Sequence, residues 1–356
     1  MFTKLTQHKE ITVELRNQLL QRKWKPGECL PTNRDMAEQF GTSLFTIQTA
    51  LSPLVEEGLI ERRRRFGTVV RHNPKVLTCA GIYCGDNLLD EWEFAFYREL
   101  SRELQRQLGG GDVETKLFVD MRATSEHTEP LPDLVRAIES REIQALLVPL
   151  CDWRTIPWLK QLPVPKSFCT SDTEVNPVGS DTEQMLELAL AHLRDQGCRS
   201  VGMISTVRKP QDVDSPHFKM YKTFIDQVSD FGLKIRNEWV IHAEGHVVDH
   251  ERFGYDSFKQ LWVGSELPDG IFVFPDASAR GVSAAVLELG VCVPDGLKLV
   301  FHHNSGVDWF CPLAADRVET DTARWATEMI TQIRRQMDGQ DVAPIRVPST
   351  LKPTAK

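Results

Sequence analysis

From about residue 77 onward, short apolar runs alternate with longer amphipathic stretches. "LTCAGIYCG" (77–85) precedes "DEWEFAFYRELSRELQRQL" (90–108), where Phe94, Tyr97, Leu100, Leu104 and Leu108 recur at helical spacing. "VETKLFVDM", "LPDLVRAIESRE" and "IQALLVPL" repeat the alternation, and "RSVGMIST", "GIFVFPDAS" and "LKLVFHHNS" carry it to residue 305. Parallel strands need a crossover, usually a helix, so this pattern implies parallel sheets with helices on both faces. The fold class is α/β. About 270 residues of this pattern suit two lobes better than one.

The first 70 residues follow a different rule. Ile11, Leu15 and Leu19, extended by Leu20 and Trp24, form one side of an amphipathic helix that "KPGE" (25–28) ends. Thr32, with Asp35 three residues on, starts a second helix as a capping-box-like pair, and Gly41 fits its left-handed end. Ser43 can then cap a third helix whose inward side is Ile47, Ala50, Leu51 and Leu54. Two short helices joined so tightly are a helix-turn-helix signature. Pro53 either kinks the third helix or restarts it, with Ser52 as the new cap. Leu59–Ile60 and Gly67–Val70 then frame a hairpin, a wing, whose tip carries Arg62 to Arg65 and Phe66.

Charge divides the same way. Residues 1–75 hold 13 Lys+Arg against 8 Asp+Glu, while the remainder holds 29 against 42. A basic head on an acidic body points to an anionic partner for the head alone.

"KPGECLPTNRDMAEQFGTSLFTIQTALSPLVEEGLIERRRRFGTVV" resembles the GntR-type winged helix of bacterial transcription regulators, over about His8 to Val70. The resemblance implies a third helix in the major groove of operator DNA, with Ser43, Leu44, Phe45, Thr46 and Gln48 toward the bases. Ser43, Thr46 and the helix N-terminus can meet phosphate, and Gln48 can pair with adenine. Arg34 resembles the family's DNA-contacting arginine. Arg63, Arg64 and Arg65 supply phosphate contacts from the wing, beside Phe66, Gly67 and Thr68. Leu44 and Gln48 stand where basic residues are usual, which weakens phosphate affinity and shifts base preference toward apolar contact such as a thymine methyl. Arg65–Phe66 replaces the usual glycine–arginine pair, so the tip exchanges a charge for an apolar or stacking contact.

"VGSDTEQMLELALAHLRDQGCRSVGMIS" and "GIFVFPDASARGVSAAVLELGVCVPDGLKLVFHHNS" resemble the effector domain of the lactose-repressor family, which is built like a periplasmic sugar-binding protein. Joined to a GntR head, it resembles the arabinose-responsive repressor subgroup. That resemblance implies a homodimer on two-fold operator DNA, commonly a repressor, switched by a small-molecule effector, a sugar or related metabolite, between the lobes.

The ligand site of open α/β sheets lies beyond strand carboxyl ends. This rule selects Asp86, Trp153, Ser171, Asp172, Asp276, His303 and Asn304, with Trp92 as a stacking face. Asp181 reads as a helix cap. The resemblance puts the family's sugar-gripping arginine near Met220 and its last-strand aspartate at His303. Losing both implies a different pocket: a ligand less rich in hydroxyls or differently charged, or an effector domain that binds nothing and serves dimerisation or partner binding.

The expected boundaries are a winged helix-turn-helix at 1–73 and an effector-binding and dimerisation domain at 74–356. Within it, lobe one takes about 77–178 with a return segment at about 303–320, and lobe two takes about 179–302 with 321–340. The eight cysteines are scattered without C-x-x-C spacing, so no metal site or cofactor is expected. No phosphate-loop, H-E-x-x-H or G-x-S-x-G motif occurs, which argues against an enzyme. With no apolar run of about 18 residues and no signal-like start, a cytoplasmic location is expected.

Overall fold

The computed structural model describes residues 3–20, 23–24, 27–56, 58–64, 66–70, 77–85, 95–151, 154–170, 175–208, 216–244, 247 and 249–354. In the head, α1 (Thr3–Leu20) buries Ile11, Leu15 and Leu19 against Ile47, Ala50, Leu51 and Leu54 of α3 (Leu44–Glu56). Between them, α2 (Asn33–Gln39) opens with the expected capping box: the Asp35 amide donates to Thr32 Oγ1 at 3.3 Å and the Thr32 amide to Asp35 Oδ2 at 3.1 Å. Gly41, at φ +59°, makes the left-handed exit. Helix α3 runs unbroken through Pro53, so no restart occurs at Ser52. Pro53 lies near the C-terminal end and forfeits one backbone bond, while fully buried Leu51 and Leu54 hold the segment in place.

The wing pairs β1 (Ile60–Arg63) antiparallel with β2 (Gly67–Val70), Arg63 opposite Gly67. Gly67 has φ +91°, a value that glycine takes without strain, and the Phe66 amide closes the tip onto the Arg63 carbonyl at 3.0 Å. Residues 27–30 add a third edge that the sequence pattern did not reveal, through Leu30 N to Thr68 O at 2.8 Å and Val70 N to Glu28 O at 2.8 Å.

The body holds two main sheets. Lobe one is built on β3 (Cys79–Cys84), β4 (Glu114–Val119), β5 (Ala145–Leu150) and β6 (Lys166–Phe168), all parallel, in the order β4-β3-β5-β6. Helix α4 (Ala95–Gly109) packs on one face, α5 (Pro132–Glu139) and α6 (Ile156–Gln161) on the other. The chain leaves lobe one through β7 (Val178–Ser180) and α7 (Thr182–Asp195), whose N-cap is Asp181, as expected. Lobe two then forms on β8 (Val201–Arg208), α8 (Pro216–Asp230), β9 (Val240–Ala243), α9 (His250–Trp262), β10 (Gly270–Phe274), α10 (Asp276–Glu288) and β11 (Lys298–Asn304).

The return segments are exchanged relative to the sequence expectation. β12 (Asp316–Thr320), assigned to lobe one, pairs in parallel with β11 in lobe two. Helix α11 (Thr322–Met337), assigned to lobe two, buries Trp325, Met329 and Ile333 in the core of lobe one. β13 (Ile345–Val347) pairs with β7 as a two-stranded hinge, and β14 (Ser349–Lys352) closes lobe two antiparallel to β12. The physical reason lies in side-chain pattern: the α11 apolar stripe matches α4, and β12 continues the β11 register.

Two glycines fix the helix pair of lobe two. A Cβ at Gly281 of α10 would lie 1.7 Å from the Glu251 carbonyl, and one at Gly254 of α9 2.2 Å from that of Ser278. Only glycine permits this approach, and it sets the position of the α10 N-terminus. Among the described residues, no helix is long and apolar enough to cross a membrane.

Candidate functional site

The head presents the first turn of α3 and the wing tip. Leu44 is 49% exposed, Phe45 78% and Phe66 74%. Arg34, Ser43, Gln48 and Gly67 are also exposed, and Thr68 is half-buried. Thr46, expected to face DNA, is buried. Its hydroxyl lies 2.8 Å from that of Ser43, which also accepts the Thr46 amide at 3.2 Å, so the pair acts as a helix cap and only one of the two hydroxyls can donate outward.

The arginines differ in what they touch. Arg62 donates to the Gln48 carbonyl at 3.3 Å, tying the wing to α3. Arg63 forms an ion pair with Glu61 on its own strand. Exposed pairs of this kind are weak, so a phosphate can compete for Arg63. Arg64 is exposed and makes no ion pair among the described residues. Arg65 lies outside the described residues.

The second site is a cleft of about 390 Å³ between the lobes, within the usual range for small-molecule pockets. Lobe one contributes Phe96 and Tyr97 from α4 and Trp325 from α11. The Phe96 ring lies 5.1 Å from both Tyr97 and Trp325, so the three make a continuous aromatic wall. Lobe two contributes Met220, Phe274, Asp276, His302 and Asn304, and the hinge strand β13 contributes Arg346.

Asp276 stands at the first turn of α10, just beyond β10. Its carboxylate accepts the Ala277 amide at 2.9 Å and the Asn304 side-chain amide at 2.9 Å. Burial raises its pKa, and the bonds from Asn304 counter part of that rise. His302 packs on Phe274 with ring centroids 4.7 Å apart, and neither of its nitrogens has a hydrogen-bond partner among the described residues. Burial pushes its pKa down to about 3, so the ring is neutral at physiological pH.

Of the effector residues read from sequence, Met220, Asp276 and Asn304 meet at this cleft. His303 does not line it. Alternation along β11 turns His302 and Asn304 one way and His303 the other, where its Nε2 lies 3.8 Å from both Asp308 and Glu319. Asp86, Trp92, Trp153, Ser171 and Asp172 lie outside the described residues. Sequence reasoning missed Phe96, His302, Trp325 and Arg346, and read Tyr97 only as helix core. Extending the strand–helix alternation past residue 305 would have exposed α11, and with it Trp325.

A winged helix-turn-helix joined to a two-lobed α/β body with an interlobe cleft defines the class of architecture. Residues 7–70 match the family of bacterial regulatory proteins named gntR, and residues 190–354 match the periplasmic binding protein-like domain. The chain therefore pairs a gntR-family head with a periplasmic-binding-protein-like body. It is 23% identical over 197 residues to the HTH-type transcriptional regulator GalR of Streptococcus thermophilus, covering 52% of this chain and 55% of that one. It is 27% identical over 151 residues to catabolite control protein A of Priestia megaterium, covering 41% and 43%. A further match, 43% identical over 67 residues, is to the HTH-type transcriptional repressor NagR of Bacillus subtilis, covering 19% and 27%. These matched segments span about half or less of each relative. The fold is similar to the crystal structure of transcription regulator CcpA of Lactococcus lactis, with a TM-score of 0.61 at 14% identity over 79% of this chain and all of that one.

Proposed function

We propose that the protein is a DNA-binding transcription regulator, a repressor, whose operator affinity is set by a small molecule held between the lobes of its body. The observation that carries this reading is the union in one chain of an exposed reading helix and wing with a hinged, aromatic-walled cleft. The head meets a two-fold operator as part of a homodimer in the cytoplasm. Binding in the cleft bridges Tyr97 and Trp325 of lobe one to Asp276 and Asn304 of lobe two, which biases the lobes toward closure. The effector is a sugar or related metabolite. Aromatic plates suit its C–H faces, and the Asp276–Asn304 edge suits its hydroxyls. Met220 stands where the resemblance places the sugar-gripping arginine, and His302 is neutral, so ionic grip on the ligand falls to Asp276 and to Arg346 of the hinge.

The test has two arms. Selection of random duplex DNA on the full-length protein should yield a palindromic half-site pattern, and binding with no sequence preference would sink the regulator reading. A thermal-shift screen of sugars and related metabolites should find a stabilising ligand. A body that responds to none, with specific DNA binding intact, would mark it as a dimerisation or partner-binding module.

A further inference from the structure

The segment "GTSLFTIQTALS" looks polar, yet α3 consumes much of that polarity itself. Ser43 and Thr46 bond to each other at 2.8 Å. Thr49 donates its hydroxyl to the Phe45 carbonyl at 2.9 Å, and Ser52 donates to the Gln48 carbonyl at 3.0 Å. A hydroxyl donating to its own helix cannot donate to a base or phosphate at the same time. Beyond the one hydroxyl of the Ser43–Thr46 pair that can still donate, the side chains at the start of the helix are apolar: Leu44 at 49% and Phe45 at 78% exposure, neither contributing to the head's core. Large apolar side chains so exposed want a partner.

Charge complementarity identifies that partner. Exposed Arg34 and Arg64 accompany this patch in the basic part of an acidic protein, a setting suited to duplex DNA. The apolar feature that the major groove offers is the C5 methyl of thymine. We infer that Leu44 and Phe45 read thymine methyls, so that each operator half-site carries thymines under the start of α3 and the helix selects them by apolar contact. This rests on the DNA-binding reading above. Gln48 is the exposed side chain left to supply a polar base contact one turn on.

Replacing thymine with deoxyuridine removes that methyl and nothing else. Single thymine-to-deoxyuridine changes would be placed along the half-site selected by the full-length protein, and affinity measured by fluorescence anisotropy at fixed salt. Burial of one methyl corresponds to about a fourfold change in affinity. At one or two positions, deoxyuridine should weaken wild-type binding by about that factor. Phe45→Ala or Leu44→Ala should bind the thymine and deoxyuridine forms of the sensitive position alike. Both positions are exposed, and an unchanged thermal melt confirms the fold. A selected operator that tolerates deoxyuridine at every position overturns the inference and leaves the regulator reading standing. So does sensitivity that survives in both variants. A protein without any sequence preference overturns both.

Discussion

The head and the cleft invert each other's use of polarity. At the head, hydroxyls turn inward to their own helix while Leu44, Phe45 and Phe66 stand in solvent. In the cleft, Asp276, His302 and Asn304 are buried and aromatic rings surround them. Each departs from the ordinary rule of apolar inside and polar outside, and such departures mark surfaces completed by a partner. The head suits a large polyanion: arginines provide general attraction and the apolar tip of α3 provides discrimination. The cleft suits a small molecule, since one carboxylate and one amide, held to each other, orient a ligand against flat walls.

Breaking the cleft's scaffold should have the largest effect. Gly281→Val drives a side chain into the Glu251 carbonyl and should destabilise the protein by about 3 kcal/mol or more, seen as a large fall in Tm. A Tm near that of the wild type would show that α9 and α10 can separate without cost. Asp276→Ala leaves the buried Asn304 amide without its acceptor and should cost about 1–3 kcal/mol. It should also abolish the effector's influence on DNA binding while operator affinity without effector persists. An unchanged response would remove Asp276 from the site.

A smaller effect concerns acid. The folded-state pKa of His302, about 3, lies below its ordinary value near 6.5, so its contribution is complete above pH 6.5 and is lost as pH falls toward 3. Between pH 7 and 5 this amounts to up to about 2 kcal/mol. His302→Phe, packed on Phe274, should lose less stability over that range than the wild type in urea titrations. Equal losses would place the titrating group elsewhere. The smallest change sharpens the head. Phe66→Arg should raise affinity for all DNA and steepen the salt dependence by about one contact per subunit. A gain confined to one operator sequence would instead mean that the tip reads bases.

The two regions also differed in how far the sequence revealed them. The head was legible nearly throughout because its signals are local: the Thr32–Asp35 box, Gly41, the Ser43 cap and the 60–70 hairpin lie within a few residues of what they organise. What escaped was the self-bonding of Thr46, Thr49 and Ser52, which depends on rotamers. The parallel α/β character of the body was legible from alternation, but the cleft joins residues 96 to 346, and only its strand-end members followed a rule. His303 was chosen in place of His302 because a strand end seen in sequence does not say which face turns to the ligand. The exchange of the return segments escaped because β12 carries a single apolar residue, Val318, and α11 lies past the last readable strand, so neither bears a local mark of its lobe.

Coupling between the cleft and the head is what separates a ligand-switched regulator from two independent modules. Operator affinity measured by anisotropy, with and without a ligand that stabilises the wild-type protein but not Asp276→Ala, tests it most directly. With coupling, operator affinity of the wild type changes severalfold, and ligand affinity changes by the same factor when operator is present. Identical operator affinity with the cleft empty and saturated would contradict it.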